Sequence, residues 1–187
     1  SFAYPGHEQL IGKIIEEKAP GFPYCLSVNV LPEIKEYERT STTVINAYLL
    51  PVVSKYLNSL ISELGSCKVT APLLLMQSNG GLTSAQRSIK LPCNIIESGP
   101  AGGVVGAHAL ATKLELGDVV TFDMGGTTAK TSLIERGEYS RAVDFSVGAG
   151  IMSGSRLLTG AGYRLKVPAI DLAEVGAGGG SIISVDA

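Results

Sequence analysis

Six residues in one stretch, VVTFDMGGTTAKTSLIERG (119–137), are the kinds that hold a phosphate and its metal ion: Asp123, Gly125, Gly126, Thr127, Thr128 and Lys130. An aspartate at the end of a strand can hold Mg2+ through water, or orient an attacking water. Paired glycines let the chain turn so that backbone N–H groups face an anion. The two hydroxyls add donors, and Lys130 adds a positive charge if its side chain reaches the cleft. Phosphoryl transfer needs mainly positioning and charge neutralisation, so this inventory is sufficient in kind for one side of a nucleotide-binding cleft. A single Asp-x-Gly-Gly-Thr is only moderately specific, because a plain hairpin turn uses the same glycines. Two facts favour phosphate. Strands flank the turn on both sides, whereas P-loops and dinucleotide fingerprints open a helix. The turn also follows directly on a helix of small residues.

The hairpin needs elements to position it. Val119, Val120 and Phe122 are expected to bury its first strand, and 131–134 its second, with Arg136-Gly137 as the next turn. Before it, SGPAGG (98–103) leads into a helix expected over 104–114, with Pro100 suited to an early helical position. Its Gly and Ala positions leave one face nearly bare, fit for close packing against another helix, and its start could hold an anion. His108 inside it reads as a packing or surface residue.

Further upstream, apolar spacing predicts a helix over 7–18, stopped by Pro20-Gly21 and Pro23, and then a strand over 24–31. That order is a helix-to-strand unit of an α/β sheet. The longest helical pattern covers 32–64, with Pro51 expected to kink or divide it and Gly65 to end it. A buried strand is expected over 69–76, running into Gln77-Ser78-Asn79-Gly80-Gly81. That loop is either a binding edge beyond a strand end or a tight turn before a short helix near 84–89. His7, Glu36, Glu38 and Arg39 read best as solvated surface.

Downstream, a third strand is expected over 139–147, then a glycine- and serine-rich mobile loop or lid over 148–162 that carries Arg156. A strand interrupted by Pro168 should follow over 165–172, and a last one over 182–185. Between them, Gly176, Gly178, Gly179 and Gly180 remove side chains where a ligand or a backbone must come close.

Composition sets the bounds. The chain has 187 residues, 45% of them hydrophobic, enough for one large domain or two small lobes. Fifteen basic and 17 acidic residues give a net charge of −2 with no long run of either sign, which argues against a nucleic-acid surface. Three well-separated cysteines, Cys25, Cys67 and Cys93, lack metal-ligand spacing and fit reduced thiols in a cytoplasmic protein. No secretory signal and no bilayer-long apolar run stands out. The ends at Ser1 and Ala187 read as cuts within a longer polypeptide.

Five stretches in order carry a resemblance: PEIKEYERTSTTVINAYL (32–49), MQSNGG (76–81), ESGPAGGVVGA (97–107), FDMGGTTAK (122–130) and VGAGGGSI (175–182). Together they resemble the middle of the hydantoinase A / oxoprolinase family, which includes N-methylhydantoinase, oxoprolinase and the acetone carboxylase β subunit. That resemblance implies an α/β fold of ribonuclease-H-like lobes as in actin-like ATPases, with a mixed sheet and a phosphate-binding β-hairpin. It implies three portions: the end of a first lobe at 1–97, a connector helix at 98–116, and the start of a second lobe at 117–187.

It further implies ATP and Mg2+ as cofactors, with Asp123 as metal ligand and catalytic residue. Gly125, Gly126, Thr127, Thr128, Lys130, Gly178, Gly179 and Gly180 would be cofactor-binding. Many members carry an aspartate at the position of Lys130, and the Thr-Ala-Lys form here leans toward hydantoin-utilisation members. The implied reaction is ATP-dependent opening of a cyclic amide such as a hydantoin or oxoproline, after phosphorylation of its carbonyl oxygen. The implied partner is a hydantoinase B-type subunit or domain, with a homo-oligomer left open. Alternatives are a non-catalytic interaction module or an acetone-carboxylase-type subunit. Half of an ATP site is expected here, too little to act alone.

Overall fold

In the computed structural model, residues 3–147 and 162–182 are described. Three helices come first: α1 (Gly6–Lys18), a single turn α2 (Ser27–Val30) and the long α3 (Glu36–Ser66). A hairpin follows, β1 (Leu74–Met76) with β2 (Leu82–Ser84), then α4 (Ala85–Lys90), a 3-10 turn (Pro92–Ile95) and α5 (Ser98–Lys113). The second half is strands: β3 (Val119–Met124), β4 (Ala129–Glu135), β5 (Glu138–Tyr139), β6 (Arg141–Ala142), β7 (Phe145–Val147), β8 (Tyr163–Leu165), β9 (Ala169–Ile170) and β10 (Ala173–Val175).

The chain is an α/β protein whose main sheet has the order β10-β4-β3, with β5 also paired to β4. Each described pairing is antiparallel, so the parallel part of a mixed sheet does not occur among the described residues. Two small cores hold the elements together. Cys93, Leu165 and Val167 form one, with Val30, Ile45 and Phe145 against it. Ala101, Val104 and Ile170 form the other, against Val105, Tyr139 and Leu172. Leu165 and Val167 therefore share a core with residues of the first 97.

Several expectations are corrected. Residues 24–31 are not a strand. Glu8 on α1 accepts hydrogen bonds from the Ser27 hydroxyl at 2.9 Å and the Val28 amide at 3.2 Å, which ties this segment into the turn α2. Burial raises the Glu8 pKa, but these bonds outweigh it and hold the carboxyl below its usual value. Pro51 does not divide α3, which runs unbroken for 31 residues. The missing proline N–H removes one bond from a long ladder, on a solvated side of the helix. Gly65 lies inside α3. The left-handed residue beyond the helix is Lys68, at φ 60.

By length and composition α3 could also cross a membrane, which the sequence reading missed. It nonetheless buries Thr42 and Asn46 against protein. Asn46 donates to Lys90 O at 3.1 Å and accepts from Cys93 N at 3.3 Å.

The expected strand over 69–76 shrinks to β1, and the expected strand over 139–147 divides into β5, β6 and β7. The expected strand over 165–172 also divides. Its first residue ends β8, β9 follows Pro168, and Leu172 lies outside both. Ser84 caps α4 by accepting from Arg87 N, as its position before a short helix suggests. The expected lid, with Arg156, falls on 148–161, outside the described residues, as does the final strand beyond Ile182.

Candidate phosphate site

The hairpin forms where the residue spacing places it. β3 and β4 pair from Val119↔Ile134 to Met124↔Ala129, with Asp123 directly opposite Lys130. The turn between them closes through the Gly125 amide, which donates to Thr128 O at 2.9 Å. No described acceptor meets the amides of Gly126, Thr127 and Thr128, and Thr127 is exposed. The turn thus offers three N–H groups and two hydroxyls to a ligand. Asp123 is exposed at the foot of the turn, and its carboxylate forms no hydrogen bond with a described residue.

Strand burial differs from expectation. Val120 is 67% and Phe122 68% exposed, because alternation along β3 puts them, with Leu133 across the ladder, on the face of the sheet away from α5. α5 covers the sheet instead of another helix, its main neighbours being β1, β3, β4 and β5. Its bare face serves this approach. A Cβ on Gly103 would stand 4.0 Å from Asp123 Oδ2, whereas positions 99 and 106 open to empty space. Between α5 and the hairpin runs a groove of about 520 Å³, lined by Gly103, Ala107, Asp123, Lys130 and Leu172 among others.

Lys130 lines this groove, but its ammonium is engaged. It donates to Glu97 Oε2 at 2.6 Å and lies 3.6 Å from Glu174 Oε1. Burial alone would lower its pKa, yet the bond and charge of Glu97, then of Glu174, hold it above 10.5. Lys130 thereby ties three elements: the residue that precedes α5, the hairpin, and β10. The sequence reading missed both glutamates. Glu97 stands just before the SGPAGG motif and Glu174 two residues before Gly176, but only the β10–β4 register, Glu174↔Lys130, brings the second one in.

The glycine run sits on the outside of the same turn. Gly179 N donates to Gly125 O at 2.9 Å and Gly180 N to Gly126 O at 3.3 Å. Of the two readings of this run, close approach to backbone describes Gly178. The MQSNGG loop resolves in the same direction. Gly80 has φ +82, and a Cβ there would stand 2.9 Å from Val105 Cγ2. Asn79 Oδ1 accepts from Gly81 N at 2.8 Å, and the buried Ser78 hydroxyl donates to Asn94 O and accepts from Glu97 N. The loop is a tight packing turn that fixes the start of α5. His108 Nε2 stands 2.8 Å from Gly137 O, with its ring edge-on to Tyr139, which is the packing role expected of it.

Comparison with known proteins decides the family. The hydantoinase/oxoprolinase family model matches residues 39–187. The chain belongs to the hydantoinase/oxoprolinase family. It is 36% identical to the caprolactamase alpha subunit of Pseudomonas jessenii, over 97% of this chain and 24% of that one. It is also 36% identical to 5-oxoprolinase of Saccharomyces cerevisiae, over 98% of this chain and 13% of that protein. Among solved structures, the ATP-dependent caprolactamase of Pseudomonas jessenii matches with TM-score 0.74 at 34% identity, over 99% of this chain and 25% of that one. Nucleotide-free acetone carboxylase matches with TM-score 0.74 at 26% identity, over 100% and 25%. The chain spans about a quarter or less of the length of these relatives.

Among the described residues no three His, Cys, Asp or Glu side chains converge on a point that could hold a metal. The donor set still fits magnesium, which keeps several waters and takes one or two carboxylates together with phosphate oxygens. Asp123 is the carboxylate among the described residues that line the groove.

Proposed function

We propose that this chain forms one wall of the ATP phosphate site in an enzyme that opens a cyclic amide, within an actin-like two-lobed ATPase fold. The observation that carries the reading is the turn itself. Three amides without a partner among the described residues and two threonine hydroxyls lie in the turn that follows Asp123, whose carboxylate lines the groove beside a small-residue helix. Bound ATP would supply a phosphoryl group to the amide carbonyl, making its carbon open to water.

The chain's own part is to bind and orient. The Gly126, Thr127 and Thr128 amides would take phosphate oxygens, with Thr127 and Thr128 hydroxyls beside them. Asp123 would hold Mg2+ or orient the phosphate. Lys130 would hold the α5 end of the groove against the hairpin through Glu97 and Glu174. Gly178, Gly179 and Gly180 would support the phosphate turn from outside. A B-type partner subunit and a cytoplasmic location belong to the same reading. The relatives named as caprolactamase and oxoprolinase support lactam opening as the reaction class.

The equal structural likeness to acetone carboxylase supports a second reading, ATP-dependent carboxylation of a ketone. Assays of the complete protein with ATP and either lactams or ketones plus bicarbonate separate the two. In either case Asp123→Asn abolishes ATP turnover while the protein stays folded. Normal turnover in that variant would overturn the assignment of the site.

A further inference from the structure

A carbonyl and the N–H that follows it belong to one planar trans peptide, and they point in opposite directions. Gly125 O and Gly126 N–H form one such unit, and Gly126 O and Thr127 N–H form the next. Both carbonyls are taken by the glycine run, Gly125 O by Gly179 N at 2.9 Å and Gly126 O by Gly180 N at 3.3 Å. The amides of Gly126 and Thr127 are thereby aimed to the other side of the turn, where no described acceptor meets them.

Gly178 sets how closely the two segments approach. It is buried, and a Cβ there would stand 2.6 Å from Gly126 C and from Thr127 N, and 2.7 Å from Gly125 O. All three are backbone atoms of the turn, so no side-chain rotation can make room. Two devices hold the run in place. β10 pairs with β4 up to Val175↔Ala129, and Ser181 Oγ accepts from Gly178 N at 3.0 Å.

We infer that Gly178–Ser181 is a peptide-orientation lock for the phosphate turn: Gly178, Gly179 and Gly180 position the Gly126 and Thr127 amides and do not themselves touch the nucleotide. The inference rests on the phosphate-site reading for its purpose, but the lock has consequences without any ligand. The glycines are not equivalent. A Cβ at position 179 meets only Gly125 O at 3.7 Å, an ordinary contact, and at position 180 it meets Gly126 O at 3.3 Å. None of the three has the positive φ that would itself demand glycine. Space, and not backbone conformation, therefore ranks them: 178 first, 180 next, 179 last.

The test is an alanine series in the complete protein, labelled with 15N at glycine and threonine, with and without Mg·ATP. Gly178→Ala shifts the Gly126 and Thr127 amide signals in the ligand-free protein. It weakens Mg·ATP binding roughly 10- to 100-fold, the range set by misaligning hydrogen bonds to a charged ligand. Gly180→Ala gives a smaller loss, and Gly179→Ala stays within about twofold of the parent, inside the scatter of a tolerated surface change. If Gly178→Ala fails to fold, the contrast between positions 180 and 179 still decides. Unmoved amides in Gly178→Ala, or equal losses at 179 and 180, overturn the lock. Amides that move in the ligand-free variant, in a protein whose own Gly126 and Thr127 signals ignore Mg·ATP, keep the lock and overturn the phosphate-site reading instead.

Discussion

Replacing Lys130 with Met keeps the side-chain stem and removes the ammonium, which isolates the tie between α5, the hairpin and β10. An exposed ion pair would contribute about 0–1 kcal/mol. This one is not exposed, since the side chains of Lys130, Glu97 and Glu174 are only 16%, 20% and 25% accessible. A hydrogen bond to a charged group contributes roughly 1.5–3 kcal/mol, and the 2.6 Å bond to Glu97 is of that kind. The second carboxylate, at 3.6 Å, adds attraction while present and repulsion once the cation is gone. We expect a loss of about 2 kcal/mol, equivalent to a fall in Tm of roughly 4–8 °C for a unit of this size.

Thermal denaturation followed by circular dichroism measures it. The sign with pH is fixed by the direction of the Lys130 shift. Its pKa is raised above 10.5, so the stabilisation is complete below that value and disappears as pH climbs through the higher folded-state value. The gap between parent and variant should therefore be full near neutrality and close only in alkali. Adding Glu97→Gln to Lys130→Met should cost less than the sum of the two single changes, because the second change removes a carboxylate that the first left unpaired. A Tm within about 1 °C of the parent, set against the shift per kcal/mol expected here, or strict additivity in the double variant, would refute the reasoning.

Other outcomes follow from the same geometry. Asn46→Leu leaves the buried Cys93 N and the part-buried Lys90 O without this partner, and should lower stability by about 1–3 kcal/mol in urea titration, most of it from the orphaned Cys93 amide. The three thiols should react with a disulfide reagent at pH 8 in the order Cys67, Cys25, Cys93. Cys67 is exposed, burial pushes the half-buried Cys25 up, and burial, then the neighbouring Cys25, pushes Cys93 up to about 12. Mass spectrometry of the timed reaction reads the order, and early labelling of Cys93 would contradict the fold around it.

What could be read from the sequence was local. The β3–β4 hairpin, the short helix α4 and a packing or surface place for His108 all follow from residue types within a few positions of each other. What escaped it depended on distant partners. Residues 24–31 carry strand-like side chains, but Glu8 from another element binds their Ser27 and Val28. Lys130 beside a phosphate turn looked like an anion ligand, and only the folded chain brings Glu97 and Glu174 to it. The glycine run announced a close approach without saying to what. The answer needed β10, a three-residue strand too short to show a period. Val120 and Phe122 read as core because an apolar strand is normally covered, and their exposure follows from their lying on the face of the sheet away from α5.

The contacts between the two halves have a consequence for how the chain comes into being. Ser41 donates to Arg164 O across 123 residues, Lys166 N donates to Thr42 Oγ1 across 124, and Lys166 pairs with Glu33 across 133. Closing a loop of that length costs about 4 kcal/mol in chain entropy beyond a constant, before any contact repays it. At roughly 5–20 residues per second, a ribosome needs about 6–25 s to travel from Thr42 to Lys166. Throughout that interval α3 can be helical but has no β8 to close over it, so that contact forms only once Leu165 has been made. The contacts of Gly179 and Gly180 with the β3–β4 turn come later still, because those glycines are among the last described residues to be synthesised.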